Sequence, residues 1–361
     1  MRVLLLGAGG YLGRFVADRL LADPAVQLTA LGRNDDADVR FDLSTGSPGA
    51  LTRFLDAVHP GVVINCAGAT RGGARELTRH NTVSTATVCE SLRRSSCDAR
   101  LVHIGCAAEY GPSQAGSSTG EAATPRPGGP YGVSKLAATE LVLASGLDAV
   151  VLRVFSPAGP STPAGSPLGR LAEGMRRAMQ LGDSELKLAG LSVQRDFVDV
   201  RDIARAVHAA SLSAAQGVIN IGTGRAVRLR DAAAVLARVA GYGGSLHELE
   251  PQVMQGSGAS GPVNTAGSAA SANSAGSPGP TGAVGPAAAP GSAVATVATA
   301  SMPSPAGPPA APSSTAYHYP DGCGSWQQAD VRTARDRLGW RPRIGLEESL
   351  ADIWMEAACR I

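Results

Sequence analysis

The sequence predicts an α/β fold, a doubly wound parallel sheet covered by helices on both faces, and three observations predict it. A short apolar run at the start of the chain ends in glycines; strand-like and helix-like segments then alternate; and one long stretch, 251–320, breaks the alternation with a composition unsuited to a packed core. Strands alternating with helical patterns argue for parallel pairing with helical crossovers.

The first element is a strand over 3–6, in Met1-Arg2-Val3-Leu4-Leu5-Leu6-Gly7-Ala8-Gly9-Gly10-Tyr11-Leu12-Gly13, followed by a helix over 13–21. Strand, glycine turn and helix in that order hold a dinucleotide pyrophosphate against a helix N-terminus, which makes the fold Rossmann-type. Gly7 makes the tight turn, Gly10 admits phosphate close to the backbone, and Gly13 lets helix and strand pack. The spacing is G-x-x-G-x-x-G, not the commoner G-x-G-x-x-G. The apolar run is shorter than the ~7–15 residues of a secretory signal, and no cleavage site follows it.

Further strands are predicted at 27–31, 62–66, 101–104, 149–154 and 218–221, and helices at 49–58, 82–95, 131–145, 167–179 and 200–212. The second strand ends Ala30-Leu31-Gly32-Arg33-Asn34, where an NAD-selective site would offer a carboxylate to the ribose. Arg33 instead favours the extra phosphate of NADP, while Asp35 and Asp36 keep NAD as the alternative. From 251 to 320 there is no Asp, Glu, Lys or Arg, and no aromatic residue before Tyr317. Such a stretch cannot offset an ordering entropy of ~1–2 kcal/mol per residue, so a disordered insertion is expected. Folded sequence resumes near Ala329 and ends in a helix over 346–358.

Composition excludes several function classes. The 361 residues carry a formal charge of +2 without long basic blocks, which gives no reason to expect a nucleic acid. No apolar segment approaches the ~20 residues of a membrane span. Cysteines at 66, 89, 97, 106, 323 and 359 have neither C-x-x-C spacing nor the density of a disulfide framework, so no metal site and a reducing, cytoplasmic location are expected.

Of only two lysines, Lys135 falls four residues after Tyr131 in Tyr131-Gly132-Val133-Ser134-Lys135. On a helix these positions share a face, so the ammonium can favour the ionised form of a phenol that otherwise titrates near ~10. The pair reads as an acid/base device; an ordinary exposed helical pair is the bland alternative.

Together these motifs resemble the extended short-chain dehydrogenase/reductases, specifically the branch that modifies nucleotide sugars. Asp42-Leu43, Asn65-Cys66-Ala67-Gly68, Asn81, Arg153-Val154-Phe155-Ser156-Pro157, Arg195-Asp196-Phe197-Val198-Asp199-Val200-Arg201-Asp202, Asn220-Ile221-Gly222-Thr223-Gly224 and Leu338-Gly339-Trp340-Arg341-Pro342 match its segments in order. The resemblance implies a dinucleotide-binding domain over 1–160 with 195–224 returning to it, and a smaller substrate-binding domain from 161–194, 225–250 and 321–361. It implies NADP or NAD contacts from Gly7, Gly10, Tyr11, Leu12, Gly13, Arg33, Asp42, Leu43, Cys66, Ala67, Gly68, Asn81, Tyr131 and Lys135. Tyr131 would move the proton of a sugar oxygen, Lys135 would bind the nicotinamide ribose, and Ser156 and Arg195 would hold a nucleotide sugar. A homodimer is a possible assembly.

Three departures bear on the chemistry. Cys106 stands where the family carries the Ser or Thr that completes its catalytic set, and a thiol is a weak hydrogen-bond donor. Ala107 and Ala108 occupy the places where the dehydratases carry an acid, leaving only Glu109 nearby, so elimination loses its general acid. Ser156 replaces the usual Asn. The expected activity is NAD(P)-dependent reduction or epimerisation of a nucleotide-linked 4-keto-sugar. The rivals are a cofactor-binding protein weakened by Cys106, and a reductase of another small carbonyl compound in which Arg195 is structural.

Overall fold

The computed structural model describes residues 1–34, 37–249 and 324–360. The chain runs β1 (Arg2–Leu6), α1 (Tyr11–Leu21), β2 (Gln27–Gly32), β3 (Val39–Arg40), α2 (Pro48–Val58), β4 (Val62–Asn65), α3 (Ala74–Leu77), α4 (Ser84–Arg94), β5 (Arg100–Cys106), α5 (Pro130–Leu143) and β6 (Ala149–Val154). It continues through β7 (Ser156–Ala158), α6 (Pro167–Leu181), β8 (Glu185–Ala189), β9 (Gln194–Arg195), β10 (Phe197–Asp199), α7 (Val200–Ser211), β11 (Gly217–Ile221), β12 (Val227–Arg228), α8 (Leu229–Ala240), β13 (Ser245–Leu249), α9 (Arg332–Leu338) and α10 (Leu346–Ala358). A π-helical turn, Thr78–Val83, joins α3 to α4.

Seven strands form one sheet in the order β11-β6-β5-β4-β1-β2-β3, and every pairing in it is parallel. The apolar runs explain it: β6 is buried at every position and β1 at all but its first. A strand buried on both faces cannot alternate, and only helices on both sides can cover it. Val3 and Leu5 pack on one face with Val207 of α7, Leu4 and Leu6 on the other with Leu51 and Leu55 of α2. Strand order reverses at β1, which has β2 on one side and β4 on the other. The crevice beyond the strand ends at such a reversal is where α/β sheets hold ligands.

A third apolar cluster lies outside the sheet, where Leu171 and Met175 of α6, Leu236 of α8 and Leu350 and Ile353 of α10 pack together. Beside it β8 and β13 pair in parallel, and β7 pairs with β10. The segment 251–320, expected to be a disordered insertion, lies outside the described residues, as do Asp35 and Asp36. No helix among the described residues is long and apolar enough to cross a membrane.

Candidate active site

The glycine turn closes tightly on the end of β4. Gly7 has φ +80°, and a Cβ there would stand 2.8 Å from the Ala67 backbone, so only glycine lets the two strand ends meet. A Cβ on Gly13 would overlap the Gly7 carbonyl oxygen. Gly10 caps α1. Gly7, Gly10, Arg33, Asp42, Leu43, Cys66, Ala67 and Gly68 converge on one cavity of about 210 Å³. Burial pushes the Asp42 carboxyl up, but bonds from Ser44 N and Oγ at 2.8 and 2.7 Å, with the Arg33 charge, hold it below its usual range. Burial pushes the Cys66 thiol up to about 12.

Six expected cofactor positions lie off that wall: Tyr131 and Lys135, on α5, and Tyr11, Leu12, Gly13 and Asn81. The Tyr11 hydroxyl meets Thr162 Oγ1 at 3.0 Å, and Leu12 packs into the core beneath the sheet. Gly13 abuts Gly7, and Asn81 is buried, its Oδ1 accepting from Ala69 N at 2.8 Å and its Nδ2 donating to Ala69 O and Ser134 Oγ at 2.9 Å. Asn81 thus ties the loop after β4 to α5 by side-chain bonds. Phe41, His80 and Ser84 line the cavity and were not singled out in the sequence; His80 and Ser84 lie within three residues of Asn81, the one signal that could have found them.

The Tyr/Lys pair stands at the start of α5. Pro130 opens this helix, and a Cβ on Gly132 would overlap the Ala108 carbonyl oxygen, so α5 seats directly on the turn that follows β5. That seating brings Tyr131 beside Cys106, near enough for its hydroxyl to bear on the thiol. The Cys106 sulfur also accepts from Ala108 N at 3.4 Å, and burial raises its pKa, so the thiol carries its proton at neutral pH. Lys135 is buried and donates from Nζ to Ile104 O at 2.5 Å; burial lowers its pKa, opposed by the charge of Glu109.

Glu109 is fully buried and committed to the strand end. Its Oε1 accepts from Cys106 N at 2.7 Å and its Oε2 from Arg153 Nε at 2.6 Å. Arg153 in turn stacks 4.6 Å from the centre of the Tyr110 ring, whose hydroxyl donates to Asn220 Oδ1 at 2.8 Å. On the far side of Lys135, Asn65 Oδ1 accepts from Ala67 N at 3.1 Å, so its amide nitrogen faces His103 Nδ1 at 3.2 Å. This fixes the imidazole proton on Nε2. Burial, with Lys135 nearby, holds His103 well below its usual pKa and therefore neutral.

Among the residues expected to meet substrate, Ser156 opens β7 in register with Phe197, and its N donates to Asp196 O at 2.9 Å. Arg195 is almost fully buried, donating to the carbonyls of Gln194 and Gly324 at 2.9 Å. Asp196, buried beside it, has a raised pKa from burial, countered by bonds from Thr223, Ala329 and Gly224. Between α6 and β8 lies a second cavity of about 290 Å³.

Comparison with known proteins agrees with this architecture. The chain is 31% identical to dTDP-6-deoxy-L-talose 4-dehydrogenase (NAD(P)(+)) of Kitasatospora kifunensis, over 98% of this chain and 94% of that protein. It is 30% identical to GDP-6-deoxy-D-mannose reductase of Pseudomonas aeruginosa over 50% of this chain and 64% of that one, just under two thirds of the relative's length. Its fold matches the structure of RMD from Pseudomonas aeruginosa complexed with NADPH at a TM-score of 0.71, with 20% identity and 99% of both chains covered. The profile of the NAD dependent epimerase/dehydratase family matches residues 3–222, and the chain belongs to that family.

Proposed function

We propose that the protein is an NAD(P)-dependent oxidoreductase of a nucleotide-linked 4-keto-sugar, or of the corresponding alcohol. One observation carries this reading: Tyr131, Cys106 and Lys135 converge where α5 seats on the end of β5, in a fold whose adjoining crevice has the glycine turn of a dinucleotide site. The left-handed Gly7 and the overlap that any side chain at Gly13 would make fit a pyrophosphate held close to backbone. Arg33 on the cavity wall favours NADP.

The bound nicotinamide supplies or accepts the hydride. Tyr131 gives or takes the proton at the sugar oxygen, and the Lys135 ammonium stabilises the negative charge that the phenol oxygen then carries. The Cys106 thiol donates to the same sugar oxygen and orients it. Arg195, Ser156 and the smaller cluster of α6, α8 and α10 hold the nucleotide sugar. Two observations favour an oxidoreductase over a dehydratase: the 4-dehydrogenase name of the 31% identical relative, and the burial of Glu109 under Arg153, which leaves it no free oxygen for acid catalysis. A homodimer across α5 is part of the reading, since Val133, Leu141 and Leu143 are exposed on this helix.

The test is nicotinamide absorbance with NADPH and NADH in parallel, against nucleotide 4-keto-sugars and nucleotide 6-deoxyhexoses. Turnover that is abolished in Tyr131→Phe, with cofactor affinity retained, is the expected result. Cofactor binding with no hydride transfer across the panel would favour a non-catalytic binding protein. Turnover of carbonyl compounds lacking a diphosphate, insensitive to Arg195→Ala, would favour a small-carbonyl reductase.

A further inference from the structure

Arg71 stands in the loop that leaves β4, three residues after Gly68 on the wall of the dinucleotide cavity. Its guanidinium lies directly over Gly165, in the loop that leads into α6: a Cβ on Gly165 would overlap the terminal nitrogens and Cζ of Arg71. Gly165 does not need a left-handed backbone; it is small because another residue's side chain fills the place of its own. The carbonyl of the same residue accepts from Arg170 Nη1 at 2.6 Å. Two arginines, one from the loop after β4 and one from α6, therefore converge on Gly165.

The residues on either side of Gly165 and Ser166 line the second cavity. Ala164, Pro167 and Arg170 line it, with Arg177 and Lys187 adding positive charge and Leu186 and Leu188 supplying apolar surface. The carboxylate on this wall, Glu173, is already held by Arg176 at 2.7 Å and Arg177 at 2.8 Å. Arg71 makes no hydrogen bond or ion pair among the described residues, and its guanidinium, held over Gly165, keeps its donors available to a ligand. A cationic rim over an apolar wall suits an anion carried on a flat organic body, and a planar fork of donors suits phosphate.

We propose that Arg71 is a substrate-binding residue that grips the diphosphate of the nucleotide sugar from the cofactor side, and that Gly165 is kept free of a side chain to let it reach. The proposal rests on the reading of the substrate as nucleotide-linked. It assigns to this loop a contact separate from Arg195.

The test uses UDP, GDP and dTDP as probes, titrated calorimetrically against the full chain, with NADPH binding measured on the same samples. Arg71→Met is expected to weaken the best diphosphate by about tenfold or more while leaving NADPH affinity unchanged and kcat at saturating substrate within about twofold. Gly165→Ala displaces a flexible side-chain end, not backbone, and is expected to fold and to cause the same loss without removing any charge. The double variant should be no worse than the poorer single, because both act through one contact. Unchanged diphosphate binding in Arg71→Met, additive losses in the double variant, or a parallel fall in NADPH affinity would each overturn the proposal. A wild-type chain that binds none of the three probes would instead overturn the nucleotide-linked reading on which it rests.

Discussion

Cys106 and Lys135 show how two side chains at one site are set by the same burial in opposite ways. Burial raises the thiol pKa and lowers the ammonium pKa, so both are pushed toward their neutral forms. For Cys106 the consequence is a protonated, weak donor beside the Tyr131 hydroxyl. Cys106→Ser substitutes a stronger donor worth roughly 1 kcal/mol more in the transition state, and is expected to raise kcat by about fivefold. A rate that stays level or falls would mean that the site is shaped around sulfur. For Lys135 the consequence concerns stability. The unfolded chain keeps the lysine proton to a higher pH than the folded chain, so it binds more protons between the two pKa values, and stability rises with pH across that window. Below the window the charged, buried lysine costs stability. Lys135→Met should therefore raise Tm at neutral pH while abolishing turnover, a trade measured by thermal melts and initial rates on the same sample. A lower Tm would show that the bond to Ile104 O outweighs the cost of burying the charge.

At the scale of elements, the glycine turn separates two roles that the motif spells with one letter. A Cβ at Gly13 would overlap the Gly7 carbonyl oxygen, whereas at Gly10 it would stand 3.3 Å from the same atom. Gly13→Ala must push α1 off the turn and is expected to cost about 1–3 kcal/mol of stability together with most of the cofactor affinity. Gly10→Ala should fold nearly as the parent does, and dye-monitored melts with and without NADPH distinguish the two. Elements with strong local patterns were legible in the sequence: α1, α2, α6, α7 and α10 fall within two residues of their expected limits, and β6 coincides with its own. Elements defined by distant partners were not. β8 is a strand because it pairs with β13 some sixty residues on, and β9 spans two residues held by β12 and by a bridge from Gln194 to Trp326. The π-helical turn at Thr78–Val83 left no periodicity distinct from the helix that follows it. The candidate site divides in the same way. Tyr131, Lys135 and the glycines were legible because their spacing is itself the signal. The ion pair of Glu109 with Arg153 joins residues 44 apart, and the overlay of Arg71 on Gly165 joins two loops; no local pattern announces either.

For the whole molecule, the segment that closes the described chain is what joins the apolar clusters. Ala334 and Trp340 enter the cluster on one face of the sheet, Ala329 packs with Tyr110 and Phe155 near the site, and Leu350, Ile353 and Ala357 complete the cluster of α6 and α8. Polar bonds follow the same route. Ala329 N donates to Asp196, Trp340 Nε1 to Asp202 O at 2.9 Å, and the amides of Arg343 and Ile344 both donate to Asp202 Oδ2 at 2.7 and 3.0 Å. Asp196 and Asp202 belong to one stretch of chain, β10 and its flanks, which also pairs with β7 beside Ser156. The final segment thereby holds the strand end on which the proposed substrate contacts stand. Trp340 is the place to break this, because it is 3% exposed and contributes both a ring to the core and a donor to α7. Trp340→Ala should cost about 3–5 kcal/mol, and Trp340→Phe, which keeps most of the ring but leaves Asp202 O without its donor, about 1–3 kcal/mol. If the clusters fold as one cooperative body, both variants will shift a single transition, seen at the same denaturant midpoint by circular dichroism and by fluorescence of the remaining tryptophans Trp326 and Trp354. Two separated transitions would mean that the α6, α8 and α10 cluster melts on its own, and that the final segment is a tether to it and not the joint between the two.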